Sequence, residues 1–182
     1  MPRRPPVSSD FHMISAPSVF IGLGSNLGDR EATIGRGLEL LADRGFILER
    51  RSDLYLTEPV DGPPQDWFVN GVARGTTGLA PEDLLAACQE VEHALGRVRV
   101  VRNGPRSLDL DLLLYGDLVR DDHALTLPHP RLHERRFVLV PLCDVAPDLV
   151  HPRLGVTFRA LLASCPDTSR VVPFSAAAGA AR

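Results

Sequence analysis

The segment Leu108-Asp109-Leu110-Asp111-Leu112 sets two carboxylates two positions apart among three leucines. On a strand, successive side chains point to opposite faces, so the leucines share a buried face and both aspartates project from the other, about 7 Å apart at the backbone. Carboxylates so placed can converge on a pair of divalent ions ~4 Å apart, the device by which phosphoryl-transfer sites hold attacking and leaving oxygens. The plainer alternative is a strand whose aspartates face water. Immediately upstream, Arg97, Arg99, Arg102 and Arg106 fall within a stretch that holds no acid. Guanidinium groups fork onto phosphate oxygens in bidentate pairs, which makes this an anion site, unless it is only a solvated basic loop. Arginines followed directly by two aspartates match what a nucleoside triphosphate with Mg²⁺ needs. Other residues are ambiguous by themselves. Phe68 and Phe137 could be core, Asn70 a surface amide and Glu92 a solvated helix residue. His129 and His133 sit four apart, but Pro130 between them argues against a helical metal pair.

Composition removes several alternatives. All 20 basic residues are arginine, so a Walker-type phosphate loop, a lysine Schiff base and a kinase strand lysine are excluded. A net charge of −3, a pI near 6.1 and only 5% aromatic residues speak against a nucleic-acid partner, including a βαββαβ RNA-binding module. The longest apolar runs, Val138–Leu142 and Leu112–Tyr115, are far shorter than the ~20 residues of a membrane span, so no membrane association is expected. Cys88, Cys143 and Cys165 show no C-x-x-C spacing and fit buried thiols in a reducing cytoplasm.

These groups need a scaffold. Val19 to Gly24 alternates as a strand and runs into the turn and cap residues Ser25-Asn26-Leu27-Gly28-Asp29. Ile34, Leu38 and Leu41 then repeat at helical spacing up to Gly45. Phe46–Thr57 reads as an interrupted strand, Glu58–Asp66 as a stiff proline-rich loop, and Phe68–Thr76 as a strand containing Gly71 and Gly75. Pro81, Glu82 and Asp83 open a helix striped by Leu84, Leu85, Cys88, Val91 and Leu95, and Ser107–Tyr115 alternates strictly. Strand, helix, strand, strand, helix, strand is the ferredoxin-like split βαβ order, an α+β fold with a mostly antiparallel sheet. Helical patterns near Glu134–Val145 and Thr157–Ala163 add C-terminal helices, and the Ala-rich Ser175–Arg182 is expected to fray.

Arg102-Asn103-Gly104-Pro105-Arg106-Ser107-Leu108-Asp109-Leu110-Asp111-Leu112-Leu113 resembles the signature of the 6-hydroxymethyl-7,8-dihydropterin pyrophosphokinases of folate biosynthesis. Ile21-Gly22-Leu23-Gly24-Ser25-Asn26-Leu27-Gly28 is similar to that family's first strand and loop, and Leu127-Pro128-His129-Pro130 and Arg135-Arg136-Phe137 follow in the expected order. The resemblance spans about Val19 to Pro152. It implies transfer of the β,γ-diphosphate of ATP to the pterin hydroxymethyl oxygen, with release of AMP. By the same carry-over, Asp109 and Asp111 hold two Mg²⁺ ions, with Arg97 and Arg106 completing the catalytic set. Glu92, Arg97, Arg106, Leu112, Thr126, His129 and Arg135 contact the nucleotide, Leu112 and Thr126 at the adenine. Phe68 and Phe137 sandwich the pterin, whose edge is read by Thr57, Asn70 and the backbone near Val60. A cytoplasmic monomer is expected, with a flexible N-terminal tail at residues 1–17, one pyrophosphokinase domain at 18–165 and a C-terminal tail at 166–182.

Overall fold

The computed structural model describes residues 16–60, 62–96 and 104–175. Along the chain run β1 (Ser18–Ser25), α1 (Arg30–Ala42), β2 (Phe46–Arg51), β3 (Tyr55–Thr57), β4 (Phe68–Thr77), α2 (Pro81–Ala94), β5 (Asp109–Tyr115), β6 (Arg120–Asp121), β7 (Thr126–Leu127), α3 (Arg136–Val145), α4 (Phe158–Ala163) and β8 (Val171–Pro173). The main sheet has the order β5-β1-β4-β3-β8, with β2 also on β4, and its pairings are antiparallel. The fold is α+β, as expected. Strands β6 and β7 form a separate ribbon.

Local chemistry sets the helix starts. The Asp29 carboxylate accepts from the Ala32 amide at 3.1 Å to cap α1. Pro81 opens α2 with Glu82 and Asp83 in its first turn, where the helix dipole favours acids. Both helices cover one face of the sheet. Ile34, Leu38 and Leu41 of α1 and Leu84, Cys88 and Val91 of α2 pack on Val19, Ile21, Leu23, Leu110 and Leu112. On the opposite face Val138, Leu139 and Leu142 of α3 and Phe158 of α4 pack on Phe20, Val72, Leu113 and Leu114. The central strands β1, β4 and β5 are thus buried between two helical layers, each large aliphatic contributing about 1.5–3 kcal/mol. The Tyr55 hydroxyl donates to Asp144 at 2.7 Å and anchors α3 to β3.

Strict alternation through Ser107–Tyr115 does not hold to the end. Phe20 faces Leu114 and Ile21 faces Leu112, which leaves Leu113 as a bulge. Leu113 and Leu114 therefore both enter the α3 side, while Tyr115 packs with the α1–α2 side. The interrupted run at Phe46–Thr57 breaks at Ser52, whose backbone N–H donates to the Val72 carbonyl and whose hydroxyl accepts from the Val72 amide, each at 2.9 Å.

The expected C-terminal tail needs correction. Residues 171–173 pair with β3 as an edge strand, Val171 opposite Thr57 and Pro173 opposite Tyr55. The Asp167 carboxylate accepts from the Arg136 and Ser169 amides, both at 2.8 Å. Three residues with two valines were too short to read as a strand without the partner edge of β3. The thiols also differ from expectation, since Cys88 is buried whereas Cys143 and Cys165 are only half-buried. The tail at residues 1–15 and the segment 176–182 lie outside the described residues. Among the described residues, no helix is long and apolar enough to cross a membrane.

Gly75 explains one of the two glycines in β4. A Cβ there would lie 2.2 Å from the Ile47 carbonyl oxygen and 2.7 Å from the Phe46 ring. Backbone cannot yield as a side chain can, so Gly75→Ala is expected to cost at least ~2 kcal/mol, read as a lower urea midpoint at unchanged slope.

Candidate active site

Asp109 and Asp111 leave β5 on the face opposite Leu108, Leu110 and Leu112, and they do not face open water. They line a cleft of about 200 Å³ under α3. Across the ladder Gly24 stands opposite Asp109 and Gly22 opposite Asp111; on its other side β1 sets Gly24 opposite Asn70 and Gly22 opposite Val72. Strands lie ~4.8 Å apart, so a carboxylate and an amide sit about 10 Å from each other over a floor of bare backbone. A Cβ at Gly24 would come within 2.8 Å of Asn70 Oδ1. The glycines therefore keep the cleft open.

Strand β5 lies at the sheet edge, and its outward backbone groups find partners elsewhere. Glu92 of α2, buried to 4% exposure, accepts from the Leu110 amide at 2.7 Å. The His129 amide donates to the Leu113 carbonyl at 2.9 Å. The strand carrying both aspartates is thus pinned on either side of Asp111. Asn26, at the end of β1, is also buried. Its Oδ1 accepts from the Arg106 amide at 2.8 Å, and its Nδ2 donates to Gln65 Oε1 at 3.1 Å and to the Asp66 carbonyl at 3.2 Å. One side chain thereby links the base of the arginine segment to the loop on the other side of the cleft.

The charges are unevenly shared. Arg106 pairs with Asp109. Burial, reinforced by the charge of Asp109, pushes the Asp111 carboxyl up to about 7. His129 moves the other way: burial, aided by the Arg135 charge, lowers it to about 4. Its Nδ1 accepts from the Arg131 amide at 3.3 Å, so the neutral ring keeps its proton on Nε2 and acts as a donor without charge. The guanidinium of Arg106 lies 5.7 Å from the centre of the Phe68 ring, and that of Arg135 5.5 Å from Phe137. On the far side Asn70 Nδ2 donates to Thr57 Oγ1 at 2.7 Å. Among the described residues, no group of three or more His, Cys, Asp or Glu converges as a complete metal shell. A cation here would take the two aspartates and draw its remaining ligands from water and a bound molecule.

The structure brings Arg106, Asp109, Asp111, His129 and Arg135 to one cleft with Thr57, Val60, Phe68, Asn70 and Phe137. Three expected site residues do not line this cleft. Glu92 is spent on the β5 backbone, Leu112 faces the α1–α2 core, and Thr126 stands in the β6–β7 ribbon. Arg97, like Arg99 and Arg102, lies outside the described residues. Sequence reading missed Gly22, Gly24 and Asn26. The signal was present, because Ile21-Gly22-Leu23-Gly24 puts both glycines on one face of a strand.

In the unfolded chain an aspartate ionises near pH 4, whereas Asp111 in the fold holds its proton to about pH 7. Its contribution to stability is complete below pH 4 and is lost as pH rises to about 7. Asp111→Asn is therefore expected to raise the melting temperature of the ligand-free protein at pH 8 and to change it little near pH 4. Thermal scans at the two pH values check this.

A family model for 7,8-dihydro-6-hydroxymethylpterin-pyrophosphokinase matches residues 20–147. The 2-amino-4-hydroxy-6-hydroxymethyldihydropteridine pyrophosphokinase of Methylorubrum extorquens is 46% identical over 145 residues, 79% of this chain and 90% of that one. The folic acid synthesis protein fol1 of Pneumocystis carinii is 40% identical over 163 residues, 88% of this chain but 22% of that one. This chain thus spans about a fifth of the fungal relatives it matches. A crystal structure of an HPPK-DHPS in complex with substrates shares the fold, with a TM-score of 0.65 at 13% identity over 82% of this chain and 43% of that one. With the match covering all of β1 to α3 except the first two residues of β1, and the bacterial relative aligned over nearly its full length, the chain belongs to the 7,8-dihydro-6-hydroxymethylpterin-pyrophosphokinase family.

Proposed function

We propose that this protein transfers the diphosphate of ATP to the hydroxymethyl oxygen of 6-hydroxymethyl-7,8-dihydropterin and releases AMP. The observation that carries the reading is the composition of the cleft: a carboxylate pair on one side of a glycine floor and an amide on the other, with two arginines and two phenylalanines lining the same cleft. A pterin is a flat ring with a polar edge. Phe68 and Phe137 suit its faces, and Asn70 and Thr57 suit its edge. The hydroxymethyl group then extends toward Asp109 and Asp111, where the pterin O–H bond breaks and its proton passes to water, an O–P bond forms at the β-phosphorus, and the bond from that phosphorus to the α-phosphate oxygen breaks to free AMP.

The charge of Asp109 raises the proton affinity of Asp111, a pairing that favours a nearby cation, and Mg²⁺ commonly takes one or two carboxylates plus phosphate oxygens, so Asp109 and Asp111 fit as holders of two Mg²⁺ ions. When bound, the ions supply positive charge against the triphosphate and polarise the attacking hydroxyl. Arg106 and Arg135 neutralise phosphate oxygens, and His129 Nε2–H donates to one. Glu92 acts through the backbone of β5, holding the aspartates in register. The strand order supports classing the core as ferredoxin-like, with β2 and β3 as halves of one strand.

AMP formed from ATP, Mg²⁺ and the pterin supports this reading; release of ADP or free pyrophosphate overturns it. Asp109→Asn and Asp111→Asn are each expected to lower turnover by at least ~10²-fold with the fold intact, checked by steady-state rates and circular dichroism. Gly24→Ala pushes on Asn70 and is expected to raise KM for the pterin more than for ATP. Because Arg106 and Arg135 rest against the two phenylalanines, phosphate must draw them off before a ring can enter. Calorimetry is therefore expected to detect pterin binding only with a nucleotide present.

A further inference from the structure

We propose that Arg170 is a positioning residue for the pterin-side wall of the cleft, tying together the two ends of the loop between β3 and β4. This rests on the reading of that side as the pterin slot. The loop begins at Glu58 and ends at Trp67, next to Phe68, and Glu58, Pro59 and Val60 line the cleft. At its first residue, the Glu58 amide donates to the Arg170 carbonyl at 3.1 Å, and the Arg170 amide donates to Glu58 Oε2 at 2.9 Å. The Arg170 guanidinium stands 3.8 Å from Glu58 Oε1 and 4.8 Å from the centre of the Trp67 ring. A second arginine continues the clasp: Arg30 Nη1 donates to the Trp67 carbonyl at 3.0 Å, and its guanidinium lies 5.7 Å from the Phe174 ring.

An exposed ion pair contributes little energy alone, and a guanidinium over an indole about 0.5–1 kcal/mol at such a site. Their value here is geometric. One planar group meets the first and last residues of a loop and so fixes the spacing of Val60 and Phe68 across the slot. It also holds the Glu58 carboxylate against the chain just ahead of β8. The strand that delivers Arg170 lies beyond residue 147, where the family match ends.

The test compares the full chain with Arg170→Ala and Arg170→Lys by steady-state kinetics and amide exchange. For Arg170→Ala, KM for the pterin is expected to rise about three- to tenfold, while kcat and KM for ATP stay within about twofold. Exchange at Val60, Gly62, Gln65 and Asp66 accelerates, and exchange along β1 does not. Arg170→Lys, which keeps the charge and loses the planar stack, falls between. An unchanged pterin KM, unchanged loop exchange, or an equal rise in KM for ATP would overturn the proposal. If the parent chain forms no AMP, the reading of the reaction fails, while the exchange measurement still decides whether Arg170 holds the loop.

Discussion

Two like charges on one face of a buried strand repel, and the fold arranges itself to keep them there. Asp109 and Asp111 could relax by turning β5 over or slipping it by one residue, either of which would carry them into the α1–α2 core. Leu108, Leu110 and Leu112 prevent it, since the same slip would expel three buried leucines at several kcal/mol. The repulsion is instead absorbed locally. Arg106 answers Asp109, and Asp111 holds its proton up to about pH 7.

Much of this was readable in the sequence because it depends on periodicity. The alternation of Leu and Asp fixed both faces of β5, the stripe from Leu84 to Val91 fixed the buried face of α2, and Asp29 and Pro81 marked helix starts. The roles of His129, Arg135, Phe68, Asn70 and Phe137 in the cleft were nameable only through their order in a familiar signature. Nothing in their spacing says that residues over sixty positions apart share a wall.

What escaped was tertiary in origin. Glu92 looks on its helix like one more acid, and only the unpaired edge of β5 gives it an amide to accept from. Leu112 follows its alternation into the core and away from the cleft. Val171–Pro173 has no strand signature until β3 offers a partner edge. In each case the residue's role belongs to a neighbour distant in sequence, which local pattern cannot report.

The bulge at Leu113 divides β5 into two segments of opposite phase. Ahead of it, odd-numbered residues face the cleft; behind it, even-numbered residues face that side. A one-residue deletion at Leu113 would join the segments into a regular ladder without rotating either aspartate, whereas the same deletion at Leu110 would turn one aspartate over relative to the other. Length variation in this strand is therefore tolerable on one side of the carboxylates and ruinous between them, an asymmetry that constrains how such a strand can gain or lose residues as its sequence diverges.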